Sequence, residues 1–151
     1  MKANHHFLKA VAAVALIASA GLANAGGTSC VDVTASVPGV CKFTSATMTA
    51  IALGAMDPAT VGATGVSNTG NITYNCTKGL TPAITKTGGG TTLTDGTKTI
   101  PYTFSLGSPE AGVGFATTSK VVATASVTQA DVQAAAAGTA YKDTVTLSID
   151  N

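Results

Sequence analysis

The sequence has 151 residues, of which 45% are apolar and only 10% are charged, and its formal net charge is +1. Such a near-neutral chain with scattered charges gives no basis for binding nucleic acid or an anionic membrane. Both histidines, His5 and His6, lie near the start, and the sequence has no Arg and no Trp. If the N-terminal leader described next is removed, histidine-based triads, proton shuttles and metal sites are excluded.

Residues 1–25 have the pattern of a secretory signal peptide. Lys2 and Lys9 precede an apolar run, and the letters ANA at 23–25 have the small-x-small form that signal peptidase cleaves. The run is shorter than the roughly 20 residues that a membrane-spanning helix needs, and no later segment comes close to that length. We predict a secreted chain that begins at Gly26 and has the size of about one ordinary domain.

The first periodic segment of the secreted chain is CVDVTASVPGVC, residues 30–41. Apolar and polar residues alternate along it, which is the pattern of a β-strand with one buried face. The residues of the apolar face are Val31, Val33, Ala35 and Val37. The pattern alone leaves two uses open: the first strand of a self-contained sandwich, or a strand that pairs with another molecule.

Further along the chain, short candidate strands rich in Thr and Val recur between turns that contain Gly or Pro. This spacing predicts an all-β domain of the sandwich or barrel class. The candidates are TMTAIALG at 47–54, GNITYNC at 70–76, TPAITKT at 81–87, PYTFSL at 101–106 and KVVATASVT at 120–128. Between the third and fourth, Asp95 and Gly96 separate two Thr-rich arms and predict a β-hairpin with a tight type I′ turn.

The C-terminal part contains one segment that favours a helix and a last strand. TQADVQAAAAG, residues 128–138, has many alanines, with Asp131 in an early turn, but it is short and lacks an apolar stripe, so we predict a loop with a single helical turn. The following YKDTVTLSID alternates again, and its apolar residues are Val145, Leu147 and Ile149. Tyr141 and Asp143 stand at the start of this stretch. The sequence leaves open whether these two residues form a structural corner or take part in recognition.

The chain shows no combination of residues that predicts catalysis or a cofactor. Its carboxylates are isolated in the sequence, so we interpret them as solvated surface groups and predict that the protein is not an enzyme. Three cysteines, Cys30, Cys41 and Cys76, follow the leader, and none forms a CxxC pair. Outside the cytoplasm we expect one structural disulfide with one thiol left over.

Four segments together resemble the secreted domain family named after spore coat protein U, which includes the subunits of archaic chaperone-usher pili. They are the alternating stretch before Cys41, LGAMDP at 53–58, ITYNCTKG at 72–79 and GTAYKDTVTLSI at 138–149. The resemblance implies an incomplete immunoglobulin-like β-sandwich, which lacks one strand and is completed by a strand donated from another subunit. It also implies a disulfide between Cys41 and Cys76 and offers no counterpart for Cys30.

Pattern and resemblance together predict a structural pilus subunit that polymerises on the bacterial surface and supports adhesion or biofilm formation. Residues 26–40 are then the donor-strand segment and residues 41–151 the sandwich. In this interpretation Val31, Val33, Ala35 and Val37 fill the groove of a neighbour. The residues Val145, Leu147 and Ile149 line one edge of the acceptor groove.

The partners expected from the resemblance are identical or related subunits in a head-to-tail filament, a periplasmic chaperone and an outer-membrane usher. The alternative is a secreted monomeric binding module, an adhesin or coat component, in which strand 31–37 completes its own sheet. Three states of Cys30 also stay open, since its thiol can remain free, pair within the chain or crosslink to a partner.

Overall fold

The computed structural model describes residues 29–46 and 50–151. The predicted signal peptide and residues 26–28 of the predicted donor segment lie outside the described residues. The chain divides between Ser36 and Val37 into two units, and each is described by itself. In the first unit, residues 29–36 form neither helix nor strand.

The second unit, Val37–Asn151, consists of antiparallel β-strands with one short helix, which confirms the predicted all-β, sandwich-like class. Its elements are β1 (Cys41–Phe43), β2 (Val66–Cys76), β3 (Ala83–Gly88), β4 (Thr92–Thr94), β5 (Thr99–Pro101), β6 (Thr103–Leu106), β7 (Ser119–Val127), α1 (Gln129–Ala134) and β8 (Thr146–Asp150). The strands β1, β2, β7 and β6 form a four-stranded sheet in that order. Strand β3 pairs with β8, and β4 pairs with β5.

The centre of the larger sheet is the long β2–β7 pair, in register from Val66 opposite Val127 to Tyr74 opposite Ser119. Every second residue of β7 points into the core, and the inward side chains are Ser119, Val121, Ala123, Ala125 and Val127. Alternation of small and β-branched residues suits a pleated surface with one buried face. Each fully buried Val contributes about 1.5–3 kcal/mol relative to an exposed one.

Two apolar clusters fill the interior of this unit. The first surrounds Tyr74 and Val121, and the partly buried Leu147 and Ile149 of β8 pack against it. The buried Tyr74 hydroxyl donates a hydrogen bond to the Glu110 carbonyl at 2.6 Å, and burial, together with the nearby Glu110 carboxylate, raises the pKa of this tyrosine. The second cluster consists of Ile100, Val127 and Val132. Val132 is the one buried side chain of α1.

The predicted hairpin at Asp95 and Gly96 is present, but its turn is longer than predicted. Because Thr94 pairs with Thr99, four residues rather than two form the loop. The Asp95 carboxylate accepts hydrogen bonds from the N–H groups of Lys98 and Thr97, and these bonds lower the pKa of that carboxyl. The side chain therefore organises a wider loop than a type I′ turn.

Two other differences from the predicted elements concern the strand at 47–54 and the loop at 128–138. Residues 50–54 form no strand, and 47–49 lie outside the described residues. The loop contains a six-residue helix, α1, in which the Thr128 hydroxyl accepts the N–H of Asp131 at 3.2 Å. This Thr-x-x-Asp cap is a sequence signal that favours a helix start. A helix this short is marginal by itself, and the cap together with burial of Val132 stabilises it.

Candidate functional site

An open apolar cleft of about 1260 Å³ lies in the second unit, over one face of the larger sheet. Its floor consists of small and β-branched side chains of the β2–β7 pair, which are Gly70, Ile72, Ala123 and Ala125. Segment 50–56 forms one wall, and Val145 and Leu147 also line the cleft. Since its lining is mostly apolar and the cleft opens to solvent, it resembles a core from which one element is missing.

Two strands of the second unit have an edge that lacks a strand partner, and one of them, β8, contributes Leu147 to the cleft lining. Strand β8 pairs with β3 on one edge, and within residues 29–46 and 50–151 no strand pairs with its other edge. Strand β1 pairs with β2 alone and is an edge of the larger sheet. Unpaired strand edges carry N–H and C=O groups that readily accept another strand.

The outward side of β1 can be identified from the hydrogen bonds on its other side. Thr44 bonds to β2, since its N–H donates to the Thr73 carbonyl at 3.1 Å. Val40 bonds to Thr77, the residue directly after β2, whose N–H donates to the Val40 carbonyl at 2.9 Å. Bonding direction alternates along a strand, so Lys42 also faces β2, and the polar backbone groups of Cys41 and Phe43 point away from it.

The wall formed by residues 50–56 is held by side chains rather than by a strand ladder. The Asn68 side-chain amide donates to the Ala52 carbonyl at 2.7 Å. Ile51 packs onto the bare backbone of Gly70, where an added Cβ would lie 2.9 Å from Ile51 Cγ1. Gly70 therefore lets this wall approach the floor closely.

A polar cluster borders the cleft close to Val145. The Asp143 carboxylate accepts hydrogen bonds from the Tyr102 hydroxyl at 2.8 Å and from the Gly90 N–H at 2.7 Å. These bonds lower the pKa of Asp143, whereas burial and the bond to Asp143 raise the pKa of Tyr102. The other carboxylate oxygen accepts the Thr144 N–H at 2.7 Å, so both oxygens are bonded within the chain, which points to a structural role at the corner before β8.

Tyr141, the other residue singled out at this corner, also bonds within the chain. Its hydroxyl donates to the Ala136 carbonyl at 2.8 Å. Tyr141 and Ala136 both line the cleft. The tyrosine thus fixes the loop after α1 as part of the cleft border.

The segment 31–37, singled out by its alternation, presents its large apolar side chains to solvent. Val31 is 81% exposed and Val33 is 89% exposed. Both lie in the first unit, where the described residues contain no strand. Exposure of regularly spaced valines is unfavourable for a free chain, because each side chain lacks the stabilisation that burial of its apolar surface would provide.

The structure places the remaining predicted residues in three settings. Val145 and Leu147 line the cleft, while Ile149 packs against the first apolar cluster. The disulfide between Cys41 and Cys76 is confirmed, and it joins two residues directly opposite each other in β1 and β2. Cys30 is exposed and free.

Several residues of the cleft were not identified from the sequence. They include the wall residues Ile51, Leu53 and Met56, the floor residue Gly70 and the helix residue Val132. The alternation in TMTAIALG was the available signal for the wall, but it did not reveal which side of the segment would stay open. For Gly70, a glycine within a strand pattern was the available signal of close backbone approach.

The described ranges 29–46 and 50–151 contain no group of three or more His, Cys, Asp or Glu side chains arranged to hold a metal ion. In the same ranges no helix has the length and apolar character required to span a membrane. No protein-family model matches the chain, and no curated protein or solved structure shows a significant match to it.

Proposed function

We propose that the protein is a structural subunit of a cell-surface pilus, in which the segment 31–37 of one copy fills the apolar cleft of the next. The observation that carries this proposal is the presence, in one chain, of an exposed alternating apolar segment and of an apolar cleft bordered by β8, a strand with one unpaired edge. Each feature is unfavourable alone, and β-strand addition removes both defects together.

The side chains of the segment suit the lining of the cleft. Val31, Val33, Ala35 and Val37 share one face and are small, which suits a shallow floor built from glycine, alanine and isoleucine. Asp32 and Thr34 lie on the other face, where an added strand meets solvent.

Strand addition would be strongly favourable. Burial of the three valines and formation of new backbone hydrogen bonds together contribute on the order of 10 kcal/mol, as an upper value. Because donor and cleft differ, the contact between copies is head-to-tail and does not close on itself, which produces a filament. A subunit with an open cleft needs a temporary occupant before assembly, and a periplasmic chaperone and an outer-membrane usher would supply and exchange it.

The test compares two charge substitutions on opposite faces of the same segment. We expect Val33→Asp to abolish filaments, since it places a charge in the apolar cleft. The matched control Thr34→Asp introduces the same charge on the solvent face and should leave filaments intact. Electron microscopy and size-exclusion chromatography of protein co-expressed with its chaperone measure both outcomes.

Equal effects of the two substitutions would overturn the proposal. Filaments that persist with Val33→Asp would show that this face is not buried on assembly. A stable monomer that unfolds reversibly without a chaperone would favour the alternative, a secreted binding module that completes its own sheet.

A further inference from the structure

The side chain of Asn151, which directly follows β8, bonds to the backbone at the start of β1. Its Oδ1 accepts the N–H of Cys41 at 2.7 Å, and its Nδ2 donates to the carbonyl of Gly39 at 3.1 Å. These are the backbone groups on either side of Val40. Because the amide oxygen meets an N–H and the amide nitrogen meets a C=O, both ends of the carboxamide are satisfied in this orientation.

This pair of bonds imitates a strand residue. Val40 itself bonds to Thr77 on the opposite side, with its N–H donating to Thr77 Oγ1 at 3.0 Å and its carbonyl accepting the Thr77 N–H. In a parallel ladder, one residue bonds to the C=O and N–H groups that flank its partner. The Asn151 carboxamide thus takes the place that a residue of the missing strand would occupy opposite Val40.

The bridge also narrows the space between the two backbones. A single side chain and one hydrogen bond span the gap between the backbones at Asn151 and Cys41, and Cα atoms of β1 and β8 approach within 8 Å. A strand inserted between two others needs two strand spacings, roughly 9.5 Å. The cleft lining agrees with this narrowing, since it includes Val145 and Leu147 but neither Ile149 nor Asn151.

We propose that Asn151 is a positioning residue that closes one end of the cleft and sets where an incoming strand stops. This inference rests on the proposed function, because it concerns the same strand-accepting site. A strand that enters beside β8 meets the cleft at Val145 and Leu147, and the Asn151 carboxamide lies beyond them, directly after β8. The length of strand that the cleft accepts, and hence its register, is therefore fixed by one side chain.

The experiment measures binding of synthetic peptides of different length to the full secreted chain. The acceptor carries Val33→Asp, so that its own segment does not compete. The probes are the peptide of residues 31–37 and two versions that are two residues longer at one end or the other, 29–37 with Cys30→Ser and 31–39. Fluorescence anisotropy gives the Kd for each.

For a strand parallel to β1, the end that Asn151 closes is the N-terminal end, which peptide 29–37 extends. With Asn151 present, we expect the Kd of peptide 29–37 to differ from that of peptide 31–37 by less than about twofold. In Asn151→Ala, the same extension should tighten binding by about tenfold, because the longer peptide takes over the bonds to Gly39 and Cys41. Asn151→Asp keeps the acceptor for the Cys41 N–H but loses the donor to Gly39, so its length dependence should lie between those of the parent and Asn151→Ala. Asp150→Ala, at the exposed neighbouring position, should keep the original length dependence.

Two results would overturn the inference and can be told apart. If peptide 31–37 binds but both Asn151 variants keep the original length dependence, Asn151 does not set the end of the strand, and the proposed function stands. If no peptide binds to the acceptor with Asn151 intact, the proposed strand-accepting cleft is wrong, and this inference fails with it.

Discussion

Removal of the disulfide should weaken the fold, because it anchors β1, an edge strand that pairs with one neighbour only. Strand β1 has only three residues and pairs with β2 alone. The bond joins Cys41 to Cys76 across a sequence separation of 35 residues. In the chain-entropy account, a crosslink over a loop of this length stabilises the folded state by about 4 kcal/mol.

We therefore expect the double variant Cys41→Ala with Cys76→Ala to lose about 4 kcal/mol of unfolding free energy, a large part of the stability of a small domain. The assay is urea denaturation of the acceptor chain with peptide 31–37 bound at a fixed saturating concentration, under non-reducing conditions, with unfolding followed by circular dichroism. Cys30→Ser is the matched control, since this thiol is exposed and unpaired, and it should leave the free energy of unfolding unchanged. A loss below about 1 kcal/mol in the double variant, or an equal loss in the control, would refute the reasoning.

The remaining predictions concern the corner at Asp143 and the cleft floor. The pKa of Asp143 is lower in the folded state, because Tyr102 and a backbone N–H bond to its charged form. The stabilisation of the fold by Asp143 is therefore present above the ordinary aspartate pKa of about 3.9. This stabilisation is lost as the pH falls through the lower pKa of the folded state. Asp143→Asn should remove that stabilisation, which is below about 1 kcal/mol for so exposed a group. The melting temperatures of variant and parent should then differ at pH 7 but converge at pH 2. Equal differences at both pH values would contradict the pKa argument. Gly70→Ala should weaken binding of peptide 31–37 by about tenfold, since the new methyl group displaces Ile51 from the wall. Gly62→Ala, where nothing lies within 4 Å of the added Cβ, is its control, and equal affinities of the two variants would argue against this role of the floor.

The strands that the sequence predicted best are those whose alternation is matched by burial on one face. GNITYNC forms the C-terminal part of β2, with Ile72, Tyr74 and Cys76 directed into the core. KVVATASVT became most of β7 for the same reason. In these cases the apolar face is a local property of the chain, so the sequence is sufficient to identify it.

Elements that depend on a partner were predicted less well. TMTAIALG alternates, yet residues 50–54 form no strand, because a strand requires a neighbouring ladder and this wall borders an open cleft. The turn after Thr94 was predicted too short, since the pairing of Thr94 with Thr99 is decided by both arms of the hairpin together. Helix α1 was underestimated because its stabilisation comes from burial of Val132 in a cluster formed by distant strands.

The sequence by itself determined the all-β class, the faces of the main strands and the apolar character of segment 31–37, because period-two alternation and residue type are local properties. Only the tertiary structure decided which strand edges remain unpaired and where the cleft lies. The contact of Asn151 with Gly39 and Cys41 joins positions more than 100 residues apart in the sequence, and no local pattern predicts such a pair. The physical reason is that hydrogen bonding between strands depends on which segments become neighbours in the folded chain.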